Sequence, residues 1–133
     1  MTRYLLDTNI LSDLIRTPQG RIATEIAKMG EENICTSIIV ASELRYGAVK
    51  KASPRLSAQV DVVLDAIQIL PFEPDADRRY GVLRAALETA GTIIGANDML
   101  IAAHALAVGA TLVTDNEREF TRVEGLQVVN WLR

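Results

Sequence analysis

The chain predicts an α/β fold in which short strands alternate with helices around a mainly parallel sheet. Three observations lead there. Short apolar runs such as Tyr4-Leu5-Leu6 and Thr111-Leu112-Val113 recur between helical patterns. The segments between them place apolar residues every three or four positions. Capping and stopping residues stand at the joints, among them Ser53-Pro54 and Gly109.

Taken in order, Tyr4-Leu5-Leu6 reads as the first strand. Thr8 is placed to cap the helix that follows, with Ile10, Leu11, Leu14 and Ile15 on one face. Pro18-Gln19-Gly20 breaks the chain, and Ile22, Ile26 and Met29 resume helical spacing until Gly30. Ile34-Cys35-Thr36 is the second strand, and Ser37 caps a third helix to about Lys50. Ser53 followed by Pro54 opens a helix carrying Leu56, Val60, Val63, Leu64 and Ile67. Ile69-Leu70 is a third strand, ended by Pro71. Pro74 opens the next helix, with Tyr80, Leu83, Ala86 and Leu87 inward and Gly91 at its end. Thr92 to Ala96 reads as a loop, Asn97 as the cap of a helix from Asp98 to about Val108, and Gly109 as its stop. Thr111-Leu112-Val113 is the fourth strand, and Val128-Val129 is a last edge strand before Trp131.

The 133 residues fit a single domain, 1–133, able to bury a core without disulfides. The apolar fraction of 49% and charged fraction of 23% are ordinary for a globular protein. A net charge of -3 argues against a general nucleic-acid coat but allows local contact. Scarce aromatics disfavour a base-stacking platform. The single cysteine, Cys35, lies in a strand and reads as a core residue. One cysteine makes no internal disulfide, which suits a cytoplasmic location. Asp7 interrupts any early apolar stretch, so no signal peptide is expected. The longest uncharged run, Met99 to Thr114, is shorter than the ~20 residues of a membrane span. It reads as a buried helix running into a buried strand.

Three acids stand in core-forming surroundings: Asp7 after the first strand, Glu43 in Ser42-Glu43-Leu44, and Asp98 in Asn97-Asp98-Met99. In open parallel sheets ligands sit beyond the carboxyl ends of strands. Asp7 follows strand one, while Asp115 and Asn116 follow strand four, so both ends point to one rim. Like charges share a pocket only when a cation compensates them. An all-oxygen set suits Mg²⁺, with Mn²⁺ a second possibility. Two of the acids also have a plainer reading: Asp98 as a helix-terminal residue favoured by the dipole, Glu43 as a solvated helix residue; Asp7, at a strand end before Thr8-Asn9, is less easily dismissed. With one Cys and one His there is no zinc cluster. His104 reads as a packed or partly exposed helix residue. No nucleophilic triad, glycine-rich phosphate loop or dinucleotide fingerprint appears. An acidic Mg²⁺ pocket without a nucleotide loop points to phosphodiester hydrolysis.

The motifs resemble one family. Tyr4-Leu5-Leu6-Asp7-Thr8-Asn9, Ser42-Glu43-Leu44-Arg45-Tyr46-Gly47, Gly95-Ala96-Asn97-Asp98-Met99-Leu100-Ile101-Ala102-Ala103-His104-Ala105 and Leu112-Val113-Thr114-Asp115-Asn116-Glu117-Arg118-Glu119-Phe120 occur in this order. The whole chain resembles the VapC-type ribonuclease toxins of toxin–antitoxin pairs, which have the PIN-domain fold. The resemblance implies a three-layer α/β/α sandwich with a central sheet of four or five short strands. It implies metal-binding acids at Asp7, Glu43 and Asp98. The family's fourth acid falls on Asn116 here, a departure that leaves Asp115 or Glu119 as substitutes. Thr8, Asn9 and Thr114 look like supporting or phosphate-contacting groups. The implied activity is Mg²⁺- or Mn²⁺-dependent endoribonuclease cleavage leaving a 5′-phosphate, often on structured RNA such as transfer RNA. Arg45, Lys50, Lys51 and Arg118 are candidates for RNA phosphates. The implied partners are a homodimeric copy and a VapB-type antitoxin, held by Leu11, Leu14, Ile15, Ile26 or Met29. A weakened domain of the same fold acting as an interaction module is the competing reading, favoured by Asn116. A phosphatase using Asp7 as nucleophile needs a second Asp where Asn9 stands.

Overall fold

A computed structural model describes residues 2–133. The elements run β1 (Tyr4–Leu6), α1 (Thr8–Arg16), α2 (Arg21–Met29), β2 (Ile34–Ser37), α3 (Ile38–Lys50), α4 (Pro54–Ala66), β3 (Gln68–Leu70), α5 (Ala76–Ala90), α6 (Ala96–Val108), β4 (Thr111–Val113), α7 (Glu117–Phe120) and β5 (Val128–Val129). A 3-10 turn, Glu31–Asn33, precedes β2. Among the described residues the strands form one sheet in the order β3-β2-β1-β4-β5, every pair parallel.

Short apolar strands suit this arrangement because helices cover both faces of such a sheet. Leu5, Leu6, Leu112 and Val113 are fully buried. The chain walks from β1 out to β3, then crosses back to β4. Right-handed crossovers therefore put α1–α4 on one face and α5–α6 on the other. The packing agrees: α1, α3 and α4 touch one another, and α5 lies along α6. The three-layer α/β/α expectation holds. The strand order reverses between β1 and β4, where ligand crevices of open parallel sheets form.

Several boundaries differ from the expected ones. Asp7, not Thr8, is the residue before α1, and Thr8 is its first helical residue. The Asp7 carbonyl accepts from the Ile10 and Leu11 amides, both at 3.1 Å, so the turn begins one residue earlier. Likewise Gly95 precedes α6, its carbonyl accepting from the Met99 amide at 3.0 Å. Asn97 is thus inside α6, and its amide is free for other work. Pro74 lies ahead of α5, which starts after Asp75 in a positive-φ conformation (φ 90°). Ala86 is exposed, not inward. Ser37 and Ser53 cap α3 and α4 as expected, accepting from Ile39 N and Leu56 N. Gly91 and Gly109 end their helices in the left-handed region that favours glycine. No helix of the described residues is long and apolar enough to cross a membrane.

Candidate active site

Asp7 ends β1 at the point where the strand order reverses, and it is only 3% exposed. Its backbone amide donates to the Val113 carbonyl at 2.9 Å, fixing the strand end against β4. Its Oδ2 accepts from Thr114 Oγ1 at 2.7 Å and, weakly, from Asn9 Nδ2 at 3.5 Å. Burial pushes the Asp7 pKa up, and the Glu43 charge adds to this. Donation from Thr114 and from the Thr8 amide pulls it back.

Glu43 projects from α3. Its Oε1 accepts a short hydrogen bond from Thr8 Oγ1, and its Oε2 accepts from Asn97 Nδ2 at 3.2 Å. Asp98, in the first turn of α6, is half-buried. Burial, then the charges of Asp7, Glu43 and Glu119, push its pKa up to about 6. Gly95 leaves room for it: a Cβ at that position would stand 3.2 Å from Asp98 Oδ2.

The β4 rim is organised by Thr114. Its hydroxyl donates to Asp7, accepts from the Asn116 amide at 2.9 Å and lies 3.4 Å from Asn9 Nδ2. Asn9 Oδ1 accepts from the Asp115 amide at 3.0 Å. Thr8, Asn9 and Thr114 therefore hold the acids and the β4 loop in place.

Asp7, Thr8, Asn9, Glu43, Asp98 and Asn116 line one open recess of about 420 Å³. Asp115 does not line it. Its carboxylate faces Asn130 Nδ2 at 3.0 Å and Arg133 Nε at 3.7 Å. Glu119 stands outside the lining residues, yet its charge reaches Asp98. Of the two substitutes for a fourth acid, Glu119 is the one electrostatically joined to the site.

Sequence reasoning missed two lining residues, Ser12 and Arg16. The signal was present: Thr8, Ser12 and Arg16 repeat every four residues and share one face of α1. Reading Asn97 as a cap hides its bond to Glu43.

As the side chains stand, no three His, Cys, Asp or Glu groups among the described residues close on a single point. Asp7 and Glu43 are instead satisfied by neutral donors. The chemistry of the set nevertheless fits a hard dication: the lining acids offer only oxygen, and the Glu43 charge raises the proton affinity of Asp7 and Asp98. A larger recess, about 650 Å³, lies between α5, α6 and the segment around Val123. Size alone would favour it. Its lining is mostly apolar, with Arg78, Arg79 and Arg122 beside Asp75 and Glu124, and it holds none of the acids that gather at the strand ends.

His104 sits behind the site, 1% exposed on α6. Its Nδ1 lies 2.6 Å from Ser37 Oγ, the cap of α3. Because Ser37 Oγ already accepts from Ile39 N, we assign its proton to the bond with Nδ1, leaving the imidazole proton on Nε2. Nε2 is buried without a hydrogen bond of ordinary geometry. Burial holds the ring's pKa below the usual histidine value, although the Pro71 backbone and the Glu73 carboxylate favour the charged form. The pair fastens the helix carrying Glu43 to the helix carrying Asp98.

Comparison with known proteins agrees with this geometry. The PIN-domain family model matches residues 4–126. Ribonuclease VapC2 of Rickettsia felis is 40% identical over 130 residues, spanning 96% of this chain and 97% of its own length. The tRNA(fMet)-specific endonuclease VapC of Salmonella typhimurium is 34% identical over 132 residues, spanning 98% and 99%. Among solved structures, the VapBC2 complex of Rickettsia felis bound to a promoter DNA fragment superposes with a TM-score of 0.91. That match is at 38% identity and covers 98% of this chain and 99% of the other. Matched along nearly its full length in sequence and in fold, the chain belongs to the PIN-domain family, within its VapC group.

Proposed function

We propose that this protein is a metal-dependent endoribonuclease, the toxin of a toxin–antitoxin pair. One observation carries the reading: Asp7, Glu43 and Asp98, distant in sequence, line a single recess at the β1/β4 reversal. Mg²⁺ or Mn²⁺ held by Asp7 and Asp98, with Glu43 beside them, would supply an activated water and screen charge on the phosphate being cut.

The chain's own residues prepare that chemistry. Thr114 and Asn9 fix the Asp7 carboxylate, and Thr8 and Asn97 fix Glu43. The burial that raises Asp7 and Asp98 makes each a stronger ligand for a cation than a solvated acid. Asn116 offers a neutral amide where a fourth acid is expected, and Glu119 supplies nearby charge. Structured RNA, transfer RNA in particular, is the proposed substrate, in line with the name of the Salmonella relative. A VapB-type antitoxin and a second copy of the chain are the proposed partners, in line with the VapBC complexes among similar structures.

The purified chain, incubated with transfer RNA and Mg²⁺, is expected to release fragments with 5′-phosphate ends. Excess chelator should slow this at least ~100-fold, the loss of several kcal/mol of metal assistance. Cleavage indifferent to chelator would defeat the metal assignment. An intact RNA would favour the interaction-module reading that Asn116 suggests.

A further inference from the structure

Three carboxylates around a recess repel the polyanion they are proposed to cut, so a strand reaching them needs cations along its path. The recess continues into a second groove of about 290 Å³, sharing Thr8, Ser12, Arg16 and Glu43 with it. This groove passes Ile15, Leu44 and Leu56 and reaches Lys51. Arg16 is the one basic side chain lining the recess among the described residues. It is 69% exposed, and its contact with Asp13, at 3.7 Å, is a loose surface pair that holds it weakly. Lys51, at the end of α3, is exposed and enters no ion pair among the described residues. Arg45, by contrast, is committed to Asp61 at 2.7 Å.

We infer that the α1–α3–α4 groove is a track for one RNA strand. Arg16 holds a phosphate next to the one being cut, and Lys51 holds a phosphate further along. The inference rests on the nuclease reading of the recess. Its support is charge complementarity. Lys51, which enters no ion pair among the described residues, and Arg16, held only loosely by Asp13, flank an apolar floor of Ile15, Leu44, Leu56 and Val60 that suits sugar and base surfaces. Phosphate contacts of this kind position a strand without reading its sequence.

The test measures binding of a mixed-sequence 2′-O-methyl oligonucleotide, which resists cleavage, across a salt series. Wild type, Arg16→Gln, Lys51→Gln and the control Arg84→Gln on α5 are compared. Each groove variant should weaken binding roughly 3- to 10-fold near 0.1 M salt. Each should also flatten the log K against log salt slope by about 0.7, one phosphate contact on a single strand. KM for a cleavable RNA should rise in step, and Arg84→Gln should match wild type. Unchanged slopes in both groove variants would overturn the track, as would an equal loss in Arg84→Gln. Wild-type RNA binding with weakened capture of a co-expressed antitoxin would assign the groove to a protein segment and also overturn it. Oligonucleotide bound with the expected slopes, but RNA left uncut, would uphold the track and defeat the nuclease reading.

Discussion

Asp7→Asn should lower RNA cleavage by about 10³-fold at saturating Mg²⁺ while leaving the fold intact. The magnitude follows from the several kcal/mol that a catalytic metal contributes, at ~1.4 kcal/mol per factor of ten. The introduced amide keeps the volume of the buried side chain and an oxygen that can accept from Thr114. It removes a negative charge that burial and Glu43 both disfavour. Thermal stability in chelator should therefore stay level or rise. Loss of activity without loss of stability separates a working acid from a structural one. Single-turnover cleavage and a melting curve on the same preparation check both halves. Asp98→Asn should behave alike, and the double variant should lose little more than either single one, because the two acids act as a unit. Cleavage by Asp7→Asn within tenfold of wild type would remove that residue from the chemistry.

The second large effect concerns stability. His104→Ala should destabilise the protein by about 3 kcal/mol, the range for emptying a large buried site. For a chain of this length that corresponds to a fall in Tm of roughly 10 °C. His104→Leu fills the space but leaves the buried Ser37 hydroxyl without its partner, at a cost of about 1–3 kcal/mol. His104→Asn offers an oxygen near the Nδ1 position and should recover part of the loss.

The pH dependence has a defined sign. The folded-state pKa of His104 is lowered, so the unfolded chain binds its proton more readily. Its contribution to stability is full above the unfolded value of ~6.5 and is lost as pH falls below that. Wild type should therefore lose more stability than His104→Asn between pH 7 and 5. The raised pKa of Asp98 works in the opposite sense, gaining stability as pH drops through about 6, but it is common to both proteins and cancels. Identical pH slopes for the two proteins would show that the ring is not the neutral, buried group described here.

The sheet and most helices were legible because they are punctuated. Ser37, Ser53-Pro54, Gly91 and Gly109 each carry a local mechanism that acts whatever the tertiary context. The short helix α7 and the 3-10 turn were not, since three or four residues show no period. The start of α6 was misplaced because Asn97 is a good cap by type, and only the tertiary contact to Glu43 explains its use inside the helix. Asp7, Glu43 and Asp98 could be picked out as acids amid apolar neighbours, and the strand-end rule located their rim. The resemblance marked Thr8, Asn9 and Thr114 as supporting groups, but which acid each one serves was not legible. That Thr8 serves Glu43 across 35 positions, or Thr114 serves Asp7 across 107, depends on packing alone. Of the packed and partly exposed readings of His104 the structure shows the packed one, and its bond to Ser37 bridges two helices with no local signature.

Anomalous diffraction from crystals of the wild-type protein soaked in Mn²⁺ tests the shared cation most directly. The expected peak lies in the β1/β4 recess, with oxygens of Asp7 and Asp98 within about 2.3 Å, the reach of direct coordination. Manganese bound elsewhere in a protein that still cuts RNA, with both carboxylates left without a metal contact, would contradict the account.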